Sequence, residues 1–264
     1  VSTSEAFQLD LAAAEAYEKR FVPAMFAEWA EVMVAEAGVR PGQRILDVAC
    51  GTGIVARRAA EIAGASSVTG VDINEAMLTI AARVQPGITW LPGDAAALPF
   101  PDAEFDSVLC QMALMFFPDP LAAVREMRRV ASDGGTISVV VPAQLKDQPA
   151  YGPFVDLVGR HAGAEAMSLL DAYWACGDSE RMLRLFNEAE LTIKSLRTHI
   201  GTARYASADE FVAVEVESTP LMDRVSQKQY ARVREGATEV LRPFTDQHGA
   251  VAVPLHGLLI VARR

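Results

Sequence analysis

Two acids and two glycines between residues 45 and 74 have the types and spacing to build a ligand site. In ILDVACGTG, residues 45–53, an apolar run carries Asp47 and then opens into a turn containing Gly51 and Gly53. Glycines in such a turn let the backbone pass close to a ligand and adopt positive φ. The following IVARRAAEIAG puts Val55, Ala59 and Ile62 on one helical face. The turn therefore opens a helix whose first N–H groups point at whatever lies above the strand. A second apolar run, SVTGVDIN at 67–74, ends at Asp72, about 20 residues after Gly53, where doubly wound sheets place an acid that accepts both hydroxyls of a ribose.

These residues imply an adenosine-containing ligand, and two kinds fit. Gly51-x-Gly53-x-x-Ala56 satisfies the dinucleotide fingerprint, so an NAD(P)-dependent oxidoreductase is one reading. Asp47 favours the other, because a carboxylate repels a pyrophosphate and attracts a cationic amino-acid moiety. S-adenosylmethionine carries a sulfonium and an ammonium and no phosphate. A protein that binds this cofactor without catalysis is a third reading, since methyl transfer demands no particular side chain.

Four segments in order sharpen the choice: ILDVACGTG at 45, VTGVDINEAML at 68, GDAAALPFPDAEFDSVLC at 93 and LAAVREMRRVASDGGTISVVV at 121. Over roughly residues 40–142 the chain resembles the class I, Rossmann-like S-adenosylmethionine-dependent methyltransferases, in the type-11 branch similar to the ubiquinone/menaquinone-biosynthesis enzymes. The resemblance implies an α/β fold with a doubly wound, mostly parallel seven-stranded sheet of order 3-2-1-4-5-7-6, its last strand antiparallel, capped by helical insertions. It implies that Ala49, Cys50, Gly51 and Gly53 surround the methionine and ribose portions of the cofactor, with Asp47 orienting the ammonium. Asp72 would bind the ribose, with Ile73 and Met77 as walls near the adenine. Gly93, Asp94 and Ala95 would meet the adenine, Asp94 accepting from its exocyclic amine. Gln111 sits where the family often holds the ammonium with a backbone carbonyl. Leading helices fold over the cofactor in relatives, and Tyr17 and Phe21 are the expected lid residues.

The acceptor end is read from the residues themselves. Met112, Met115 and Phe116 follow the fourth strand at the mouth of the site, and Tyr151, Tyr173 and Trp174 are expected opposite. Such a lining suits a planar or lipophilic small molecule. The chemistry expected is in-line attack of an O, C or N nucleophile on the sulfonium methyl, for which alignment is the main task. His161, beside Arg160, is a base candidate, with Asp171 and Glu165 as further ones; His199 and His256 lie in strand patterns and read as structural.

Composition bounds the partners. The chain has 264 residues, 51% of them apolar, and a formal charge of −10. That charge disfavours nucleic acid, whose binding draws on cationic contacts. Three widely spaced cysteines and four scattered histidines supply neither a disulfide framework nor a metal cluster. There is no apolar run of about 18 residues, and VSTSEAFQLDLAAAEAYEKR lacks the order of a signal peptide. The expectation is a cytoplasmic enzyme with a small-molecule substrate and no membrane partner, its surface helices leaving a homodimer open.

The elements that must position these residues follow from periodicity. Residues 1–38 read as lid helices, one over 5–21 and a second opened by Pro23, carrying Phe26, Trp29, Val32 and Met33 and ended by Gly38. Residues 39–142 read as the cofactor-binding core and 143–187 as a helical cap insertion. Residues 188–264 complete the sheet and contain a second helical insertion at 207–250, where Ser226-x-x-Gln229 is a capping box. The last strand is expected over 255–262.

Overall fold

The computed structural model describes residues 9–217, 221 and 224–264; the expected start of the first helix at 5–8 lies outside them. Seven strands form one sheet in the order β3-β2-β1-β4-β5-β7-β6, as expected. They are β1 Ile45–Val48, β2 Val68–Asp72, β3 Thr89–Pro92, β4 Phe105–Gln111, β5 Ala131–Pro142, β6 Thr192–Tyr205 and β7 Val251–Arg263. β1 to β5 pair in parallel, and β7 runs antiparallel to both β5 and β6. The strand order reverses at β1, between β2 and β4. Chains leaving the carboxyl ends there depart in opposite directions and open a crevice.

The central strands are buried on both faces, which explains their near-continuous apolar sequence. One face packs against helices Ala27–Ala37 and Ile54–Ala63 through Trp29, Met33, Val55 and Ala59. The other packs against helices Pro120–Val130 and Ser179–Glu188 through Val124, Met127, Met182 and Phe186. Trp29 is 1% exposed and lies flat on the β6–β7 ribbon, where a Cβ on Gly201 or Gly257 would come within 2.8 or 2.5 Å of its ring. Glycine at both positions is a packing requirement.

The leading helices differ from expectation. Instead of two helices divided at Pro23, one helical run passes from Leu11–Ala16 through a π-helical segment, Tyr17–Phe26, into Ala27–Ala37. Pro23 cannot donate an amide hydrogen and crowds the preceding turn. The wider π turn accommodates it, with the Ala27 N–H donating to the Val22 carbonyl. Gly38, at φ 65°, ends the run as expected.

The last strand starts four residues earlier than expected, at Val251. Pairing with β5 stops at Pro142↔Gly257, but β6 and β7 stay paired to Tyr205↔Val251. Pro254 thus lies where β7 has one neighbouring strand, so its missing donor is tolerated. Helix Tyr151–Ala162 meets this extension through Tyr151 and Tyr205 and is flanked by helices Ala164–Asp171 and Gln227–Leu241, and Ser226 and Gln229 form the expected capping box.

Candidate active site

The turn after β1 is built by conformation as much as by side chains. Ala49, Gly51 and Gly53 have φ of 53°, 54° and 88°, in the left-handed region that costs an alanine of order 1 kcal/mol and a glycine little. Asp47 reaches beneath this turn, where its Oδ2 accepts the Ala56 N–H at 2.9 Å in the first turn of helix Ile54–Ala63. It is 1% exposed and does not line the cavity. Burial pushes its carboxyl up to about 8, against the pull of the Ala56 N–H. Cys50 and Gly53 also lie outside the cavity lining. The Cys50 N–H ties the turn to β2 through the Val71 carbonyl at 3.0 Å.

Asp72, at the end of β2, braces the turn from the side. Its Oδ2 accepts the Gly51 N–H at 2.7 Å and its Oδ1 the Asn74 N–H at 2.8 Å. It is 9% exposed and lines the cavity. Burial raises its affinity for a proton, opposed by those two N–H donors. Each carboxylate oxygen has a further lone pair, so the group can brace Gly51 and still accept a diol. Asn74, absent from the expected set, also lines the cavity. It caps helix Glu75–Val84 through Ala76 and donates to the Leu9 carbonyl at 3.0 Å, pinning the leading segment beside the site. The signal for it was the Asn-Glu-Ala-Met start of that helix.

A single cavity of about 310 Å³ unites most of the expected residues. Its cofactor side holds Tyr17, Phe21, Ala49, Gly51, Asp72, Ile73, Met77, Gly93, Asp94, Ala95 and Gln111. Asp94 folds its own turn, Oδ1 accepting the Ala96 N–H at 2.8 Å. Tyr17 lies over the glycine turn, its hydroxyl 3.8 Å from where a Gly51 Cβ would stand, and stacks on Phe21 and Phe26 with ring centroids 5.5 Å away in each case. Gln111 donates to the Phe26 carbonyl at 3.1 Å, while its Oε1 is buried with no partner among the described residues. That orphaned acceptor, the diol-ready Asp72 and the open glycine turn fit a nucleoside bearing an ammonium. No phosphate-binding cation lines the cavity among the described residues.

The other side of the cavity is lined by Met112, Met115, Phe116, Tyr151, Tyr173 and Trp174. Phe116 meets Tyr173 edge-on at 5.2 Å, and Tyr151 meets Trp174 at 5.2 Å. His161 does not line the cavity. The acid found there instead is Glu215, in the π-helical turn Ala213–Glu217. It is 9% exposed, accepts from the Tyr205 hydroxyl at 3.0 Å, and is pushed up to about 7 by burial. Its sequence signal was spacing: Glu215 follows Phe211 by one helical turn, on a buried face.

No helix among the described residues is long and apolar enough to cross a membrane, and none of their side chains cluster as a metal site. Cys50, Cys110 and Cys176 are free and buried.

Fold order, the glycine turn and a cavity lined by Asp72 and Gln111 with no cation among the described residues suit a methyltransferase better than a dinucleotide enzyme. Comparison with known proteins agrees. The family described as "Methyltransferase domain" matches residues 46–139. The chain is 39% identical over 180 residues to the ubiquinone/menaquinone biosynthesis C-methyltransferase UbiE of Burkholderia mallei, covering 66% of this chain and 72% of that one. It is 39% identical over 126 residues to the demethylmenaquinone methyltransferase of Renibacterium salmoninarum, spanning 48% of this chain and about half, 51%, of the relative. The crystal structure of the YcgJ protein from Bacillus subtilis shares the fold, with a TM-score of 0.61, 21% identity and coverage of 90% and 98% of the two chains. The chain belongs to the class I S-adenosylmethionine-dependent methyltransferases, in the group related to UbiE, and its cofactor is S-adenosylmethionine.

Proposed function

We propose that the protein moves a methyl group by in-line displacement to an O, C or N nucleophile of a small aromatic or lipophilic metabolite. The observation that carries this reading is the single cavity whose lining runs from Gly51, Asp72 and Gln111 to Phe116, Tyr151, Tyr173 and Trp174. The cofactor supplies a methyl group already activated as a sulfonium. Asp72 holds the ribose, the Gln111 Oε1 accepts from the ammonium, and Asp94 and Ala95 meet the adenine. Tyr17, Phe21 and Phe26 exclude water. The facing rings orient a flat acceptor, and such alignment supplies roughly 7–11 kcal/mol of the barrier. The described residues of segments 143–187 and 207–250 serve as the roof of the acceptor pocket, Tyr151, Tyr173, Trp174 and Glu215 among its lining. The relatives are named for menaquinone and ubiquinone, and a flat ring of that kind suits these walls.

The test is calorimetric titration with S-adenosylhomocysteine, then transfer of an isotopically labelled methyl group to a panel of phenols, quinols and highly charged metabolites. Micromolar binding and transfer to the ring compounds are expected. Binding with transfer confined to charged metabolites overturns the substrate class, and NADH binding without S-adenosylhomocysteine binding overturns the reading entirely.

A further inference from the structure

We propose that Tyr151, Tyr205 and Glu215 form a buried proton relay that takes the hydroxyl proton of a phenolic acceptor, with Glu215 as its terminus. This rests on the methyltransferase reading above and narrows its acceptor to a molecule with an ionisable O–H.

The geometry sets a direction. The Tyr205 hydroxyl donates to Glu215 Oε1 at 3.0 Å and lies 3.1 Å from the Tyr151 hydroxyl. A phenol carries one hydrogen, so with that of Tyr205 committed to Glu215, Tyr151 donates to Tyr205. The remaining lone pairs of the Tyr151 oxygen can then accept from a bound molecule. Tyr151 and Glu215 line the cavity, while Tyr205 does not. The three residues come from a helix, the end of β6 and a π turn, so their meeting is a product of the tertiary fold.

The surroundings make a proton acceptor necessary. No Lys, Arg or His lines the cavity among the described residues, which therefore offer no cation to a phenolate. A phenol, with a pKa of about 10, arrives neutral. Asp47 is outside the cavity, and Asp72 belongs to the glycine turn. Glu215 is the carboxylate at the aromatic end. Its charge reaches the phenols of Tyr151, Tyr173 and Tyr205. On the adjacent helix Ala208–Val212, Asp209 pairs with Arg234 and Glu210 accepts the Ala206 N–H, so both are engaged elsewhere. Burial holds Glu215 up to about 7, where a base is matched to neutral solution.

The step balances. The acceptor oxygen bonds to the methyl carbon as the methyl–sulfur bond breaks and its electron pair stays on sulfur. The acceptor proton passes to Tyr151, that of Tyr151 to Tyr205, and that of Tyr205 to Glu215. One positive and one negative charge disappear together.

The test compares the wild type with Glu215→Gln and Tyr205→Phe. In infrared spectra of the ligand-free protein, a carboxylic-acid carbonyl band titrating near neutrality is expected. It should be lost in Glu215→Gln and moved to higher pH in Tyr205→Phe, because the Tyr205 hydrogen bond favours the carboxylate. With a phenol, both variants should lose about 10²- to 10⁴-fold in kcat with KM little changed. A nitrophenol, ionised at the assay pH, should recover most of that loss. No loss of band intensity near pH 7 in Glu215→Gln, with the Asp47 band near pH 8 subtracted as common to both proteins, or folded variants keeping the wild-type kcat and pH profile, overturns the relay, as does transfer only to acceptors without an ionisable hydroxyl. S-adenosylhomocysteine titration separates the two readings: its failure in the wild type sinks the methyltransferase assignment, whereas the relay variants should bind it normally. If Glu215→Gln does not fold, Tyr205→Phe decides by the displacement of the same band.

Discussion

Replacing Asp72 with asparagine should weaken S-adenosylhomocysteine binding by about 10- to 150-fold. Asp72 lines the cavity, and its two oxygens accept Gly51 and Asn74 N–H groups at 2.7 and 2.8 Å. Alanine would strip both buried donors of their acceptor at once, about 1–3 kcal/mol each, and confuse binding with folding. Asparagine keeps one acceptor oxygen and the side-chain volume. It removes the charge that strengthens the ribose hydrogen bonds, worth about 1.5–3 kcal/mol for a charged partner, and every 1.4 kcal/mol is tenfold in Kd. One backbone N–H also loses its acceptor, so stability should fall by about 1–3 kcal/mol. Calorimetric titration well below the unfolding midpoint reads the first number, and urea unfolding without ligand reads the second. A Kd within threefold of wild type, with the fold intact, would refute the assignment of Asp72 to the ribose.

Asp47 makes stability depend on pH with a definite sign. Its folded pKa of about 8 exceeds the unfolded value of about 3.8, so its contribution is complete below pH 4 and is lost as pH rises through 8. Asp47→Asn should flatten that part of a stability profile measured by urea unfolding, and an unchanged slope would show that the carboxylate is ionised in the fold. Gly53→Ala would place a Cβ 2.3 Å from the Trp90 ring at φ 88°, and should destabilise by about 2–4 kcal/mol, with partial recovery in combination with Trp90→Leu. Tyr17→Ala removes a ring stacked on Phe21 and Phe26 above Gly51. On the order of tenfold weaker S-adenosylhomocysteine binding is expected, seen mainly as faster dissociation in stopped-flow fluorescence.

The core was legible because its function is written in contiguous segments. ILDVACGTG and VTGVDIN each carry a strand, its ending and the start of a helix, so type and position of Gly51 and Asp72 come from local spacing. The fold order came with the resemblance. Asp47 was legible as an acid at the right place but not by its partner: nothing in the sequence says whether it faces the ligand or turns inward to the Ala56 N–H. Pro23 misled for a related reason, since a proline inside helical periodicity ends a helix unless a π turn absorbs it. The acceptor end was legible only as a list of aromatics. The spacing of Glu215 from Phe211 marks a buried helical face, but not what the carboxylate meets there. Its burial depends on Tyr205 across a loop and on Tyr151 from a distant helix, contacts that no local pattern encodes.

The two halves of the site are joined by the unequal lengths of the strands. The crevice between β2 and β4 brings Gly51, Asp72 and Gln111 together at the carboxyl edge, as strand order alone requires. β5 ends at that edge, with Pro142 opposite Gly257, but β6 and β7 run on as a two-stranded ribbon from Ile200↔His256 to Tyr205↔Val251. A ribbon of that kind is marginal alone, and here Trp29 covers one part while Phe154 and Phe211 pack near its tip. Tyr205 is thereby carried past the edge of the sheet to Tyr151 and Phe211, on helices Tyr151–Ala162 and Ala208–Val212. The core thus places Gly51, Asp72 and Gln111 at the carboxyl edge through strand order. The extension carries Tyr205 to Tyr151 and to the buried carboxylate of Glu215, beside the aromatic side of the cavity.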